Sequence, residues 1–292
     1  MKPSPLDLCL ALAKTRLTSK YIKLNWILHL CGWSTRTAMA LNFRSTRTLR
    51  SMHEILRPHL SARELAALSQ RQWSFRKYLR HLQRAWPRTN LTARLGFEIE
   101  GQGYLDSAVA LGKGTLLLSG HNYGFSRFVA PYLASRGYSV TRTGAYHETK
   151  FNALWGTGAT RGWRYIYLDD EPLGRLRALK QIKELLKRNE VVHMIVLCRP
   201  YGEPDLQVKL YDRIFFLDSA TFRLIEELAP AVVPCFALSD PRGTLKIKLH
   251  PHLNSAAPGW KEEFALLFTQ YMKNFPEFIR FWKPMLNQDK EW

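Results

Sequence analysis

One histidine, His121, stands where an imidazole could act as a general base. The apolar run Thr115–Leu118 precedes it, with Gly114 and Gly120 at its two ends, and the hydroxyl residue Ser126 follows five positions later. An imidazole titrates near neutral pH and can remove a proton from a hydroxyl or an amine. A serine hydroxyl can accept the imidazole N–H bond and hold its tautomer. The apolar run and the turn after it predict His121 as a candidate general base.

Both residues also allow a purely structural interpretation. A histidine at a turn can bond to a neighbouring backbone carbonyl, and Ser126 could simply be a first-turn residue of the following helix. A second histidine, His193, lies inside an apolar run, and we expect it to be a core residue.

The elements around His121 predict an α/β fold. The run before it is short and apolar without alternation, which favours a central strand buried on both faces. Strands and helices then alternate along the chain, so we expect a mixed central sheet flanked by helices, with ligands bound beyond the carboxyl ends of the strands. The predicted strands are 95–100, 115–118, 139–142, 165–168, 191–197, 231–238 and 244–249, and the predicted helices are 102–111, 125–136, 176–188, 219–227 and 260–274.

The first 94 residues differ in charge from the rest of the chain. They contain 18 Lys and Arg against three acidic residues, a net charge of +15, whereas the remaining residues carry +4 of the total of +19. Helices are predicted there at 3–14, 18–30, 36–56 and 61–85, the last beginning with Ser61 and Glu64 in a capping-box pattern. The sequence predicts a basic helical N-terminal region, 1–94, and an α/β domain, 95–292.

The basic region is expected to meet an anionic membrane surface. Tryptophans and aliphatic residues are interleaved with its charges between Lys20 and Trp33, a pattern typical of helices that lie in a bilayer interface. A solvated basic face and a nucleic-acid binder are the alternatives. The chain has no zinc-finger spacing, no RNP-like motif and no clear helix-turn-helix, so we expect no nucleic-acid partner. The apolar stretches are too short to span a bilayer and lack a signal-peptide pattern, which predicts peripheral attachment on the cytoplasmic side.

The four cysteines give no sign of a metal site. Cys9, Cys31, Cys198 and Cys235 lack C-x-x-C spacing, which predicts neither zinc nor a disulfide framework and fits a reducing compartment. We expect no metal and no cofactor.

Several segments resemble one family in their order and spacing. Residues 121–126, His-Asn-Tyr-Gly-Phe-Ser, resemble the H-x4-D/E motif of the lysophospholipid acyltransferase superfamily, especially the branch of lipid A lauroyl and myristoyl acyltransferases. Residues 159–166 resemble its arginine-containing second block, 190–216 its third region and 229–236 its closing strand. The approach helix at 55–73 is also similar, so the resemblance covers roughly residues 50 to 285.

The resemblance implies a glycerolipid acyltransferase-like fold and a fatty acyl transfer. The donor would be an acyl carrier protein (ACP) or coenzyme A thioester, and the acceptor a hydroxyl or amine of a lipid or glycolipid at the cytoplasmic face of the inner membrane. His121 would deprotonate the acceptor, with Ser126 in the place of the family's acidic partner. The residues implied in binding substrate or the oxyanion are Gly120, Gly124, Arg161 and Arg164.

The chain departs from the family pattern at three places. Ser126 replaces the acidic residue of the motif, residues 197–199 (Leu, Cys, Arg) replace a stretch that commonly carries an acidic residue, and residues 218–220 (Asp, Ser, Ala) replace a glycine. A hydroxyl lacks the negative charge that stabilises an imidazolium. The alternative is therefore a catalytically inactive protein of this fold that binds lipid or acyl carrier protein.

Overall fold

A computed structural model of the chain describes residues 52, 54–72, 98–120, 126–145, 163–168, 171–199, 202–239 and 245–276. The predicted helices at 3–14 and 18–30, and most of the one at 36–56, lie outside these residues. So do three candidate site residues, His121, Gly124 and Arg161.

The centre of the fold is a mixed eight-stranded sheet. Its strands are β1 (Glu98–Glu100), β2 (Thr115–Gly120), β3 (Val140–Ala145), β4 (Trp163–Leu168), β5 (Val191–Val196), β9 (Ala231–Ser239), β10 (Leu245–Leu249) and β11 (Leu253–Asn254). The order is β1-β10-β9-β2-β5-β3-β4, with β11 also paired to β9. Strands β9, β2, β5, β3 and β4 run parallel, whereas β10 and β11 run antiparallel to β9. The predicted mixed sheet is confirmed.

Helices cover both faces of this sheet. They are α1 (Gln102–Ala110), α2 (Ser126–Ser135), α3 (Pro172–Lys187), α4 (Ser219–Leu228) and α5 (Trp260–Asn274). Residues of α1 and α2 pack with Leu117 on one face, and residues of α3, α4 and α5 pack with Leu116 and Leu118 on the other. Every residue of β2 is buried, as its uninterrupted apolar run predicts.

A second, antiparallel sheet follows β5 and was not predicted. It consists of β6 (Cys198–Arg199), β7 (Gln207–Leu210) and β8 (Arg213–Leu217), in the order β6-β8-β7. The β7–β8 turn contains Tyr211 at a φ of 54°, a conformation for which sequence patterns expect glycine or asparagine. The strands are short and their turn has neither glycine nor asparagine at this position, so the sequence gives little indication of a hairpin.

The segment before the sheet packs on the same core. Met52, Ile55, Leu56, Leu65 and Leu68 belong to the apolar cluster that contains residues of α3, α4 and α5. Residues 62–72 are helical, and the predicted capping box is confirmed: the Ser61 N–H donates to Glu64 Oε2 at 2.8 Å, and the Glu64 N–H donates to Ser61 Oγ at 3.3 Å. Within the described ranges, none of the helices combines the length and hydropathy needed to cross a bilayer.

Candidate active site

The parallel strands end together at one edge of the sheet, which we call the carboxyl edge. Its described residues are the strand ends Gly120, Ala145, Leu168 and Val196, and Gly120 pairs directly with Val196. His121 is the next residue of the chain, so covalent geometry keeps its Cα about 3.8 Å from that of Gly120. Ligands of open α/β sheets bind beyond this edge. The described strand end that precedes His121 in the sequence therefore lies at this edge.

Gly120 is packed too closely for any other residue. A Cβ at this position would lie 1.9 Å from Cε2 of Phe268, a ring on α5 that also contacts Phe236 and Phe264. Because Phe268 is itself held in the core, the absence of a side chain at Gly120 lets α5 press against the end of β2. This contact fixes the strand end from which His121 departs.

Ser126 is the first residue of α2 and is only 2% exposed. The first turn of α2 contains no acidic residue. The first N–H groups of a helix have no partner within the helix and carry a partial positive charge, which favours an anion or a developing oxyanion. The structure thus places Ser126 and a helix N-terminus at the end of the His121 segment, without a carboxylate in that turn.

The side chains of Ser119 and His193 form a buried polar pair on the α2 face of the sheet. Ser119 lies two residues before His121 in the chain. Ser119 Oγ and His193 Nε2 are 2.8 Å apart, and both residues are inaccessible to solvent. The hydroxyl of Thr143 donates to the backbone carbonyl of His193 at 3.4 Å. These bonds tie β2, β5 and β3 together within the sheet.

His193 is a neutral core residue, as the sequence predicted. Burial, and secondarily the positive charge of buried Arg142, lower the pKa of His193 from 6.5 to about 3. Cys235 lies on the same face, and burial raises the pKa of its thiol to about 12. With this pKa His193 is a weak base, Cys235 stays a protonated thiol, and both side chains are buried, so neither serves as a base or nucleophile for a bound substrate.

Arg164 lies at the other end of the sheet. It is the second residue of β4 and pairs with Thr141 near the start of β3. Its guanidinium forms an ion pair with Glu190, the residue before β5. Four residues separate its level in the sheet from that of Gly120, roughly 13 Å along a strand. The substrate-binding role expected for Arg164 receives no support from this position.

A carboxylate that the sequence did not assign to the site lies beside the carboxyl edge. The Asp218 N–H donates to the carbonyl of Leu197 at 3.0 Å, and Leu197 directly follows Val196. Asp218 is half-buried and occupies the N-cap position of α4 without a side-chain capping bond. The β7–β8 hairpin returns the chain to this point. Because that hairpin was not predicted, the position of Asp218 beside this edge could not be foreseen from the sequence.

Among the residues that the structure describes, no group of three or more His, Cys, Asp or Glu is arranged to hold a metal ion.

A comparison with known families identifies one that covers most of the chain. The model of a family described as bacterial lipid A biosynthesis acyltransferase matches residues 22–279, which include β2, the His121 segment and the helices α1 to α5. A comparison with curated proteins finds no match. Since the family model covers most of the chain, the predicted family is confirmed. The chain belongs to the bacterial lipid A biosynthesis acyltransferase family.

Proposed function

We propose that the protein moves a fatty acyl group from an ACP or coenzyme A thioester to a hydroxyl or amine of a lipid or glycolipid acceptor, at the cytoplasmic face of the inner membrane. The observation that carries the proposal is the family match over residues 22–279, with His121 directly after the last residue of β2. Membership of an acyltransferase family supports acyl transfer to a lipid, and the donor, acceptor and membrane face are our proposals.

His121 acts as the general base of this reaction. It takes the proton of the acceptor hydroxyl or amine while the acceptor atom forms a bond to the thioester carbonyl carbon. The tetrahedral intermediate then collapses, the carbon–sulfur bond breaks, and the imidazolium returns its proton to the departing thiolate. The products are the acylated acceptor and the free thiol, and His121 ends neutral.

The negative oxygen of the intermediate needs positioned hydrogen-bond donors. The N-terminus of α2 supplies N–H groups beside the His121 segment. Gly120, Gly124 and Arg161 are the further candidates from the sequence. Such donors act without moving during the reaction, which makes them effective at lowering its barrier.

Two side chains are candidates to support the imidazolium. The Ser126 hydroxyl can orient the ring but carries no charge, and Asp218 is a carboxylate beside β5, the strand paired with β2. Replacing the orienting carboxylate of another histidine-based enzyme lowers its rate about 10⁴-fold. We propose that Ser126 orients His121 and that Asp218 supplies negative charge to the same site.

The test is untargeted lipid mass spectrometry of cells that express the native chain, His121→Ala or Ser126→Asp at matched levels. We expect a new acylated lipid with the native chain, its loss with His121→Ala, and an equal or higher yield with Ser126→Asp. Identical lipid profiles for all three would contradict the proposal.

The competing function is binding of lipid or acyl carrier protein without catalysis. One observation favours it, because buried Ser126 begins a helix whose first turn has no acidic residue. A binding protein would retain its lipid or carrier protein equally well with His121→Ala and would form no acylated product. Lipid binding by the purified chain, measured beside the mass spectrometry, separates the two functions.

A further inference from the structure

Helix α3 carries two leucines on its solvent side. Leu173 is 67% exposed and Leu176 is 62% exposed. The helix packs on the sheet through another set of residues, namely Ala178, Ile182, Leu185 and Leu186. The two exposed leucines therefore add nothing to the core, and their exposure has a cost in water.

Two basic residues continue the same face of the helix. Each of positions 173, 176, 177 and 180 is three or four residues from two of the others, so they form one stripe along α3. We call Leu173, Leu176, Arg177 and Lys180 the α3 stripe. All four are exposed, and they lie on the side opposite Ile182.

The charge of the stripe is not neutralised within the described part of the chain. Neither Arg177 nor Lys180 forms an ion pair with a carboxylate there, whereas Arg164 and Arg188 both pair with Glu190. These four basic residues line a groove of about 630 Å³ between α3 and β4. The groove also contains Glu184, which pairs with Lys187. The surface is positive overall.

The apolar end of the stripe lies at the carboxyl edge. Strand β4 ends there at Leu168, and α3 begins only four positions later at Pro172. The helix then runs back along the sheet and ends before β5 starts at Val191. The exposed leucines are thus on the same edge of the sheet as the end of β2, which precedes His121. Arg177 and Lys180 lie further along α3, away from this edge.

We propose that the α3 stripe docks the protein on an anionic bilayer. Leu173 and Leu176 enter the boundary between headgroups and acyl chains, and Arg177 and Lys180 meet lipid phosphates. Leucines beside cations that have no carboxylate partner among the described residues match the two layers of a bilayer interface, and positive charge is complementary to anionic headgroups. This inference rests on the proposed function, since docking would turn the carboxyl edge towards a lipid acceptor.

The first experiment places an environment-sensitive fluorophore at the stripe of the full-length chain. The probe is attached at Leu173→Cys, in a background in which Cys9, Cys31 and Cys198 are serine, and vesicles contain phosphatidylcholine with or without phosphatidylglycerol. The matched control is a probe at Leu266→Cys, a leucine of α5 that is 59% exposed. We expect a blue shift, and quenching by spin-labelled lipid, at position 173 with anionic vesicles and neither at position 266.

The second experiment measures the partition of variants onto the same vesicles. Removing two charges near an anionic surface with Arg177→Gln and Lys180→Gln lowers partition roughly 30-fold. The matched pair Lys209→Gln and Lys248→Gln removes two exposed lysines from β7 and β10 and should change partition less than about threefold. Leu173→Ser with Leu176→Ser should abolish the response of a probe placed at Gln181→Cys in the same background.

Three results would overturn the inference. The first is an unshifted probe at position 173 on vesicles that bind the protein, which would assign docking to the basic N-terminal region alone. The second is a shift that grows with protein concentration in the absence of lipid, which would indicate that the stripe binds a second copy of the chain. The third is a shift that occurs only when an acidic carrier protein is added, which would indicate that the stripe binds the carrier protein instead of lipid. None of these depends on catalysis, and His121→Ala should dock like the native chain, so failure of docking and failure of acyl transfer are distinguishable.

Discussion

At the scale of single residues, Gly120 and Phe268 set the position of the strand end before His121. Gly120→Ala forces a Cβ into the Phe268 ring, so we expect an overpacking loss of about 1–3 kcal/mol in the free energy of unfolding. Acyl transfer should fall with it, because His121 is bonded to the displaced residue. Chemical denaturation and product formation are measured on the same preparation.

The control for this substitution is Gly103→Ala. Gly103 lies in α1, and a Cβ there would meet nothing within 4 Å. Alanine also favours the helix, so we expect stability equal to or above that of the native chain. A Gly120→Ala variant as stable and active as Gly103→Ala would show that the close contact has no role.

Buried His193 makes stability depend on pH. Its pKa of about 3 in the fold is below the usual 6.5, so the unfolded chain takes up the proton first as pH falls. The stabilisation is complete above about pH 6.5 and is lost towards pH 3, at up to about 1.4 kcal/mol per pH unit. Urea unfolding at about pH 7 and about pH 5 should show a smaller pH dependence for His193→Gln. An equal dependence in both proteins would refute the assignment.

Asp218 and Ser126 are predicted to differ in what they contribute. Asp218→Asn should lower kcat for acyl transfer at least about tenfold, since it removes a charge that supports the imidazolium. Restoration of the rate by adding Ser126→Asp would identify the lost charge as the cause. An unchanged kcat in Asp218→Asn would remove Asp218 from the site.

At the scale of elements, one asparagine joins two turns of the fold. Asn189 has a φ of 58°, accepts the Gly114 N–H at Oδ1 (3.1 Å) and donates from Nδ2 to the Val109 carbonyl (3.0 Å). Asn189→Ala should cost about 2–4 kcal/mol, from two hydrogen bonds and a strained backbone. Asn189→Gly keeps the backbone favourable and should lose less. Equal losses in thermal unfolding would show that the backbone strain contributes nothing.

Elements with a strong local pattern could be predicted from sequence. β2, α1 and α5 have the predicted type and nearly the predicted bounds, because apolar periodicity and glycine or proline neighbours mark them. Helix α3 begins at Pro172, four residues before its predicted start. Its first turns carry the exposed Leu173 and Leu176, which do not follow a core-facing pattern. The two leucines that do not face the core are therefore the same residues that form the apolar part of the proposed docking surface.

The candidate site was only partly predictable for a related reason. His121 and Ser126 are local in sequence, so their spacing could be recognised. Asp218 reaches the carboxyl edge through a hairpin with an unusual turn, and the Ser119–His193 pair depends on the register of β2 against β5. Long-range register has no signature in a single sequence. The Glu190 partner of Arg164 was not foreseeable for the same reason.

At the scale of the whole molecule, the basic N-terminal region and the α3 stripe are expected to act on the same surface. Of the net charge of +19, residues 1–94 contribute +15. Attraction of exposed charges to anionic lipid weakens as salt shortens the Debye length from about 10 Å at 0.1 M to about 3 Å at 1 M. Partition onto anionic vesicles should therefore fall steeply with salt, measured by cosedimentation. Partition independent of salt would contradict electrostatic docking.

The central claim is acyl transfer by His121, and a purified assay tests it most directly. The native chain and His121→Ala are incubated with membrane lipid and a labelled acyl thioester, on ACP in one arm and on coenzyme A in the other. We expect labelled lipid from the native chain, and a rate at least about 10²-fold lower from a folded, vesicle-bound His121→Ala. Equal label from both proteins, or none from either donor, would contradict the account.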